Sequence, residues 1–160
     1  LILFGGYVRG RLLGNTDDTI AHYEAGKTMI RAGWGSPNPA FRNFFTSNFI
    51  PDATPEQAAS FDELQRVSIT AENAERIYEI NCCAEVSELA KRVKVPTLVL
   101  NCDGDRVSPL AEGRRMAALI PGARFVTLEG NNHVVTAGTP AFTDFIREIE
   151  SFVGEHSSDI

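Results

Sequence analysis

Three short apolar runs, Leu1 to Phe4, Thr97 to Leu100 and Arg124 to Leu128, separated by stretches of helical periodicity, constrain this chain more than any other feature. The first two are apolar at consecutive positions, the pattern of a strand covered on both faces. Such strands lie parallel, and parallel strands need crossovers too long to be tight turns. Lys94-Val95-Pro96 introduces the second run, and Ser108-Pro109 reads as the cap of a helix that continues to about Leu119 and stops at Pro121-Gly122. Thr139-Pro140 opens a last helix, in which Phe142, Phe145, Ile146, Ile149, Phe152 and Val153 form one core-facing stripe. Strand, helix, strand, helix predicts an α/β fold of parallel strands flanked by helices, joined by right-handed crossovers.

Between the first and second runs, residues from about 15 to 91 show helices and no strand. Asn15 and Thr16 can cap a helix whose Asp17 and Asp18 suit its positive end, with Ile20, Tyr23, Ile30 and Trp34 on one stripe. Phe41, Phe44, Phe45 and Phe49 fall at spacings of three and four on the face of a second helix. Thr54-Pro55-Glu56-Gln57 is a capping box with proline at the first helical position, with Phe61 and Leu64 continuing the apolar side, and another helix starts near Thr70. This is the pattern of an inserted helical lid, with 1–14 and 92–160 forming the core sheet and its helices within one partial domain, 1–160. The phenylalanine face reads as core, or alternatively as the roof of an apolar pocket.

Composition narrows the classes of function. A net charge of −6, with 15 basic residues scattered singly or in pairs, provides no stripe for a phosphate backbone, so no nucleic-acid partner is expected. No apolar run approaches the ~20 residues that span a bilayer, so no membrane partner is expected either. Cys82, Cys83 and Cys102 have the spacing of neither a disulfide framework nor a zinc site, which implies a reducing, cytoplasmic setting with no metal and no cofactor. His22 and His156 read as solvated residues. The chain begins inside a strand-like run with no initiator Met, which predicts an N-terminally incomplete protein.

The residues that could carry chemistry follow the second and third runs. In an open parallel sheet the functional crevice lies outside the carboxyl ends of the strands. Asp105, in Cys102-Asp103-Gly104-Asp105-Arg106-Val107, and His133, in Gly130-Asn131-Asn132-His133, both sit there, one strand-helix-strand repeat apart. A carboxylate beside a histidine fixes the ring's tautomer and supports the imidazolium formed when the ring takes a proton from a nucleophile. Taken singly, Asp105 reads equally as a turn residue ahead of Ser108, and His133 as a loop residue bonded to backbone. Asp103 competes for the acid role from two residues earlier.

Val95-Pro96-Thr97-Leu98-Val99-Leu100, Gly104-Asp105-Arg106-Val107, Ile120-Pro121-Gly122-Ala123 and Asn132-His133, in that order, resemble the C-terminal half of an α/β-hydrolase. By this resemblance Leu1 to Arg9 corresponds to the family's sixth strand and the turn into its lid, Thr97 to Leu100 to the seventh strand and Arg124 to Leu128 to the eighth. It implies that Asp105 is the acid and His133 the base of a triad ordered Ser…Asp…His. A finer resemblance, through Leu3-Phe4-Gly5-Gly6-Tyr7-Val8-Arg9-Gly10, Gly33-Trp34-Gly35 and Phe49-Ile50-Pro51-Asp52-Ala53-Thr54-Pro55-Glu56-Gln57, is to hydrolase-like domains joined to bacterial signalling or transcription modules.

The chain departs from the pattern at the nucleophile. No G-x-S-x-G occurs, and in Gly33-Trp34-Gly35-Ser36-Pro37 the residue after serine is proline, which lacks the backbone N–H that an oxyanion hole needs. The expected function is therefore that of the C-terminal part of a serine hydrolase for an ester-like or other small acyl substrate, inactive without the N-terminal half that carries the nucleophile. The alternative is a ligand-sensing regulatory domain. An outermost first strand also predicts self-association through Leu1 to Phe4, paired with its copy across a two-fold axis.

Overall fold

A computed structural model describes residues 1–14 and 16–156. Asn15, a candidate cap and the start expected for the helical insertion, lies outside the described residues, as do 157–160. The chain divides into two compact units, Leu1–Val8 with Val86–Ile160, and Arg9–Glu85.

The first unit is built on a three-stranded parallel sheet in the order β1 (Ile2–Phe4), β2 (Leu98–Cys102), β3 (Arg124–Leu128). Ile2 pairs with Leu98, and Leu98 in turn with Arg124. Every residue of β2 is buried, which is why its run does not alternate. Its side chains divide between two cores. Leu98, Leu100 and Cys102 join Leu128, Ala141 and Phe152, with Ile2, Phe4, Phe145 and Ile149 packed around them. Val99 faces the other way, onto Met116, Ile120, Ala90 and Val8, with Leu3 and Phe125 alongside. Helix α6 (Leu110–Leu119) supplies one cover and α7 (Pro140–His156) the other, while α5 (Ser87–Ala90) is a single turn beside α6.

Two details differ from the sequence expectation here. The stripe expected along α7 is narrower, because Ile146 is 38% and Val153 50% exposed, while Phe145, Ile149 and Phe152 reach the core. Ser108 does not cap α6. The cap position is Pro109, without a side-chain hydrogen bond, and the Ser108 hydroxyl donates instead to the Gly6 carbonyl at 3.0 Å.

The second unit contains α1 (Asp17–Gly33), α2 (Ala40–Phe49), α3 (Pro55–Ser68) and α4 (Ala71–Cys83). Thr16 caps α1, accepting from the Thr19 amide while the Thr19 hydroxyl accepts from the Thr16 amide. Phe45 is the centre of this unit's core, with its ring edge-on to Trp34, Phe44 and Tyr78 at 5.0 to 5.9 Å. The phenylalanine face of α2 is thus packed inside the helical unit. His22 is half-buried, its ring 5.8 Å from Phe44, and burial together with Arg11 lowers its pKa from the ordinary imidazole value. His156 is likewise half-buried, its Nδ1 2.8 Å from the Phe152 carbonyl. Both correct the expectation of solvated histidines.

Helix α3 departs from the expected polarity at Leu64, while Phe61 is half-buried with its ring 5.9 Å from Phe49. Leu64 is 55% exposed, while Asp62 and Gln65 are buried, the former accepting from the Thr46 hydroxyl and the latter donating to it. On α2, Arg42 is buried as well and donates to the backbone carbonyls of Trp34, Ser36 and Asp62. A buried guanidinium is satisfied by such acceptors, while the buried Thr46 hydroxyl, also on α2, pairs with the polar side chains Asp62 and Gln65 of α3 and holds that side inward.

Two predictions arise here. Thr54 accepts from the Gln57 amide and Gln57 returns the bond, so Thr54→Ala is expected to destabilise the helical unit by about 1 kcal/mol. A denaturant titration followed by the fluorescence of Trp34, the single tryptophan, reads this unit directly. Cys83 is exposed whereas Cys82 and Cys102 are buried, and burial pushes the Cys82 thiol above its usual pKa. Iodoacetamide at neutral pH is therefore expected to modify Cys83 alone in the native protein, as read by peptide mass mapping.

Candidate active site

The ladder between β2 and β3 continues past the strand ends and sets two loops side by side. Beyond the Cys102–Leu128 pair, the Asp103 amide donates to the Leu128 carbonyl at 3.0 Å and the Gly104 amide to the Gly130 carbonyl at 2.9 Å. Asp103 itself is committed to this junction, since its Oδ1 accepts the Gly130 amide at 3.0 Å. At Gly104 a Cβ would lie 2.1 Å from the Asn131 side-chain oxygen and 3.2 Å from the Asn131 Cα, so a larger residue would have to turn that side chain and part the loops slightly.

That approach brings Asp105 and His133 together. His133 Nδ1 lies 2.8 Å from Asp105 Oδ2, across 28 residues of sequence. Asp105 Oδ1 accepts the amides of Val107 at 2.8 Å and Ser108 at 3.0 Å, so each carboxylate oxygen has its own donors. The Asp105 side chain is wholly buried and that of His133 is 19% exposed. Beside an acceptor-only carboxylate, Nδ1 is assigned the proton and donates it to Oδ2. This leaves Nε2 as the basic nitrogen of the neutral ring.

The loop after β1 closes the site from behind. Gly5 has φ +59°, and a Cβ there would sit 2.8 Å from His133 Cε1 and 3.0 Å from Nδ1. Both the backbone angle and the ring exclude a side chain. Gly5→Ala is expected to cost about 1–2 kcal/mol from the left-handed backbone alone, and to displace the His133 ring. Thermal unfolding measures the first effect and the His133 ring resonances the second.

Both site residues predicted from sequence thus meet, and Asp103, the competing acid, serves the loop junction. Ser36 lies in the turn between α1 and α2, where its hydroxyl accepts the Asn38 amide at 3.1 Å. Among the described residues no group of three or more His, Cys, Asp or Glu is placed to hold a metal ion, and no helix is long and apolar enough to cross a membrane. Sequence reasoning missed Asn101, fully buried in β2, whose amide donates to the carbonyls of Cys102 and Ser108 at 3.0 Å each. A lone amide side chain within the run Thr97-Leu98-Val99-Leu100-Asn101-Cys102 was the available signal.

Comparisons with known proteins agree with this architecture. Residues 80–148, which include both Asp105 and His133, match the family described as TAP-like protein. A pyrrolizixenacetamide deacetylase of Xenorhabdus hominickii is 31% identical over 85 residues, covering 53% of this chain and 31% of the relative. A non-heme chloroperoxidase of Kitasatospora aureofaciens is 30% identical over 87 residues, covering 54% of this chain and 32% of the relative. Among solved structures, an esterase from Exiguobacterium antarcticum superposes with a TM-score of 0.76 at 18% identity, covering 96% of this chain and 56% of the esterase. The chain thus spans just over half of that structure, and the aligned segments about a third of the curated relatives.

Proposed function

We infer that this chain, a C-terminal part of the α/β-hydrolase superfamily fold, supplies the acid and the base of a serine hydrolase acting on ester-like or other small acyl substrates. The observation that carries this reading is the 2.8 Å contact of His133 Nδ1 with Asp105 Oδ2 in loops after successive parallel strands. The deacetylase, 31% identical over 85 residues, supports it, and the fold is that of the esterase. In this reading His133 Nε2 takes the proton of a serine hydroxyl as the oxygen attacks the acyl carbon, and Asp105 stabilises the imidazolium through Nδ1–H. The same Nε2–H then protonates the leaving group. In the second half, Nε2 deprotonates the water that releases the acid from the acyl-enzyme, and returns that proton to the serine.

The nucleophile is proposed to lie N-terminal to Leu1, in the complementary half of the domain, and the helical unit Arg9–Glu85 is proposed to serve as the lid. A cytoplasmic location is proposed on the three thiols. The test is hydrolysis of a p-nitrophenyl acyl ester by the complete protein and by the 160-residue chain alone. Turnover by the first and none by the second is expected. An upstream sequence with neither serine, cysteine nor aspartate at the nucleophile turn would sink the enzyme reading, and saturable ligand binding without turnover would favour the sensing role.

The complementary half is proposed to dock at β1, whose one strand neighbour among the described residues is β2. Ile2 and Phe4 pack on one face of the sheet and Leu3 on the other, as in an interior strand. Without that half the 160-residue chain is expected to self-associate along β1. Light scattering at micromolar concentration is expected to show a dimer or larger species, and a monomer would contradict it.

A further inference from the structure

We infer that Ser108 is a positioning residue for His133, an inference that rests on the acid–base role proposed above. Ser108 is fully buried and ties three parts of the first unit together. Its amide donates to Asp105 Oδ1 at 3.0 Å, and its carbonyl accepts the Asn101 side-chain amide at 3.0 Å. Its hydroxyl donates at 3.0 Å to the carbonyl of Gly6, 102 residues away in sequence. The first two bonds hold the loop that carries the acid. The third reaches the loop after β1, which is the wall behind the imidazole, because Gly5 lies against His133 Cε1 and Nδ1.

That wall is fixed at two points. The Gly5 amide donates to the Leu100 carbonyl at 3.0 Å, which sets its height on the sheet, and the Ser108 hydroxyl holds the next carbonyl, that of Gly6. The tie therefore links the backbone that confines the ring to the loop that holds the carboxylate. The ring's own torsion is soft, so the wall decides how well Nδ1–H stays aimed at Oδ2. A serine just before a helix would ordinarily turn its hydroxyl to the first amides of that helix. Here it points to Gly6, while the acid keeps both of its amide donors whatever the side chain at 108 does.

Nitrogen-15 NMR of the complete protein, at one pH, separates positioning from mere packing by reading the His133 Nδ1–H proton. The wild-type protein is expected to show it at low field and in slow exchange with water. In Ser108→Ala the exchange is expected to quicken by about tenfold, the worth of one buried hydrogen bond, while the Val107 amide bonded to Asp105 keeps its protection. Ser108→Cys keeps a slightly larger atom and a weak donor in the hydroxyl's place, is expected to fall between the two, and carries the test if the alanine variant does not fold. Unchanged Nδ1–H exchange in both variants would overturn the role of Ser108 and leave the Asp105–His133 pair standing. Absence of the Nδ1–H signal from the wild-type protein would overturn both.

Discussion

Asp105→Asn in the complete protein is expected to lower kcat for an acyl ester by about 10⁴-fold, with little change in KM. The geometry dictates the direction. Asp105 uses Oδ1 for the amides of Val107 and Ser108, and Oδ2 for His133. An asparagine has one acceptor oxygen, which those two amides retain, so its NH₂ group faces His133 Nδ1 and donates to it. The ring then carries its proton on Nε2 and cannot take one from a nucleophile. His133→Ala is expected to lose a comparable amount, and the double variant little more than either alone, because the two residues act as one device. Steady-state kinetics on the three variants checks this, and additive losses would show that the pair does not work as a unit.

Leu100→Ala is expected to destabilise the first unit by about 2–5 kcal/mol. Leu100 is fully buried in the central strand, packed in the core that also holds Leu98, Leu128 and Phe152. The neighbouring strands fix its backbone in register with Phe4 and Val126, so the cavity can collapse only in part. The measurement is a denaturant titration followed by far-UV circular dichroism. A loss below 1 kcal/mol would mean that the sheet is not packed as described.

The central strand was legible because burial on both faces leaves a continuous apolar run, and β2 is buried throughout. The candidate site was legible for a related reason. One strand-helix-strand repeat brings successive loops together, so the spacing of Asp105 and His133 carried three-dimensional information. The choice between Asp103 and Asp105 needed coordinates, because only the extended ladder shows Asp103 held by the Gly130 amide. Helix α3 was misread at Leu64, since Thr46 on a neighbouring helix bonds the side chains of Asp62 and Gln65 and holds that side of α3 inward. Ser108 was misread as a cap because local sequence could not reveal a bond to Gly6, 102 residues distant. Long-range polar contacts leave no periodic trace, and they account for both misreadings.

Covalent labelling of the complete protein by a fluorophosphonate probe reads whether Asp105 and His133 activate a nucleophile. The wild-type protein is expected to label at a serine N-terminal to Leu1, with His133→Ala slowing the reaction by about three orders of magnitude or more. Labelling of the His133→Ala protein at the wild-type rate would contradict a role for His133 in activating that serine.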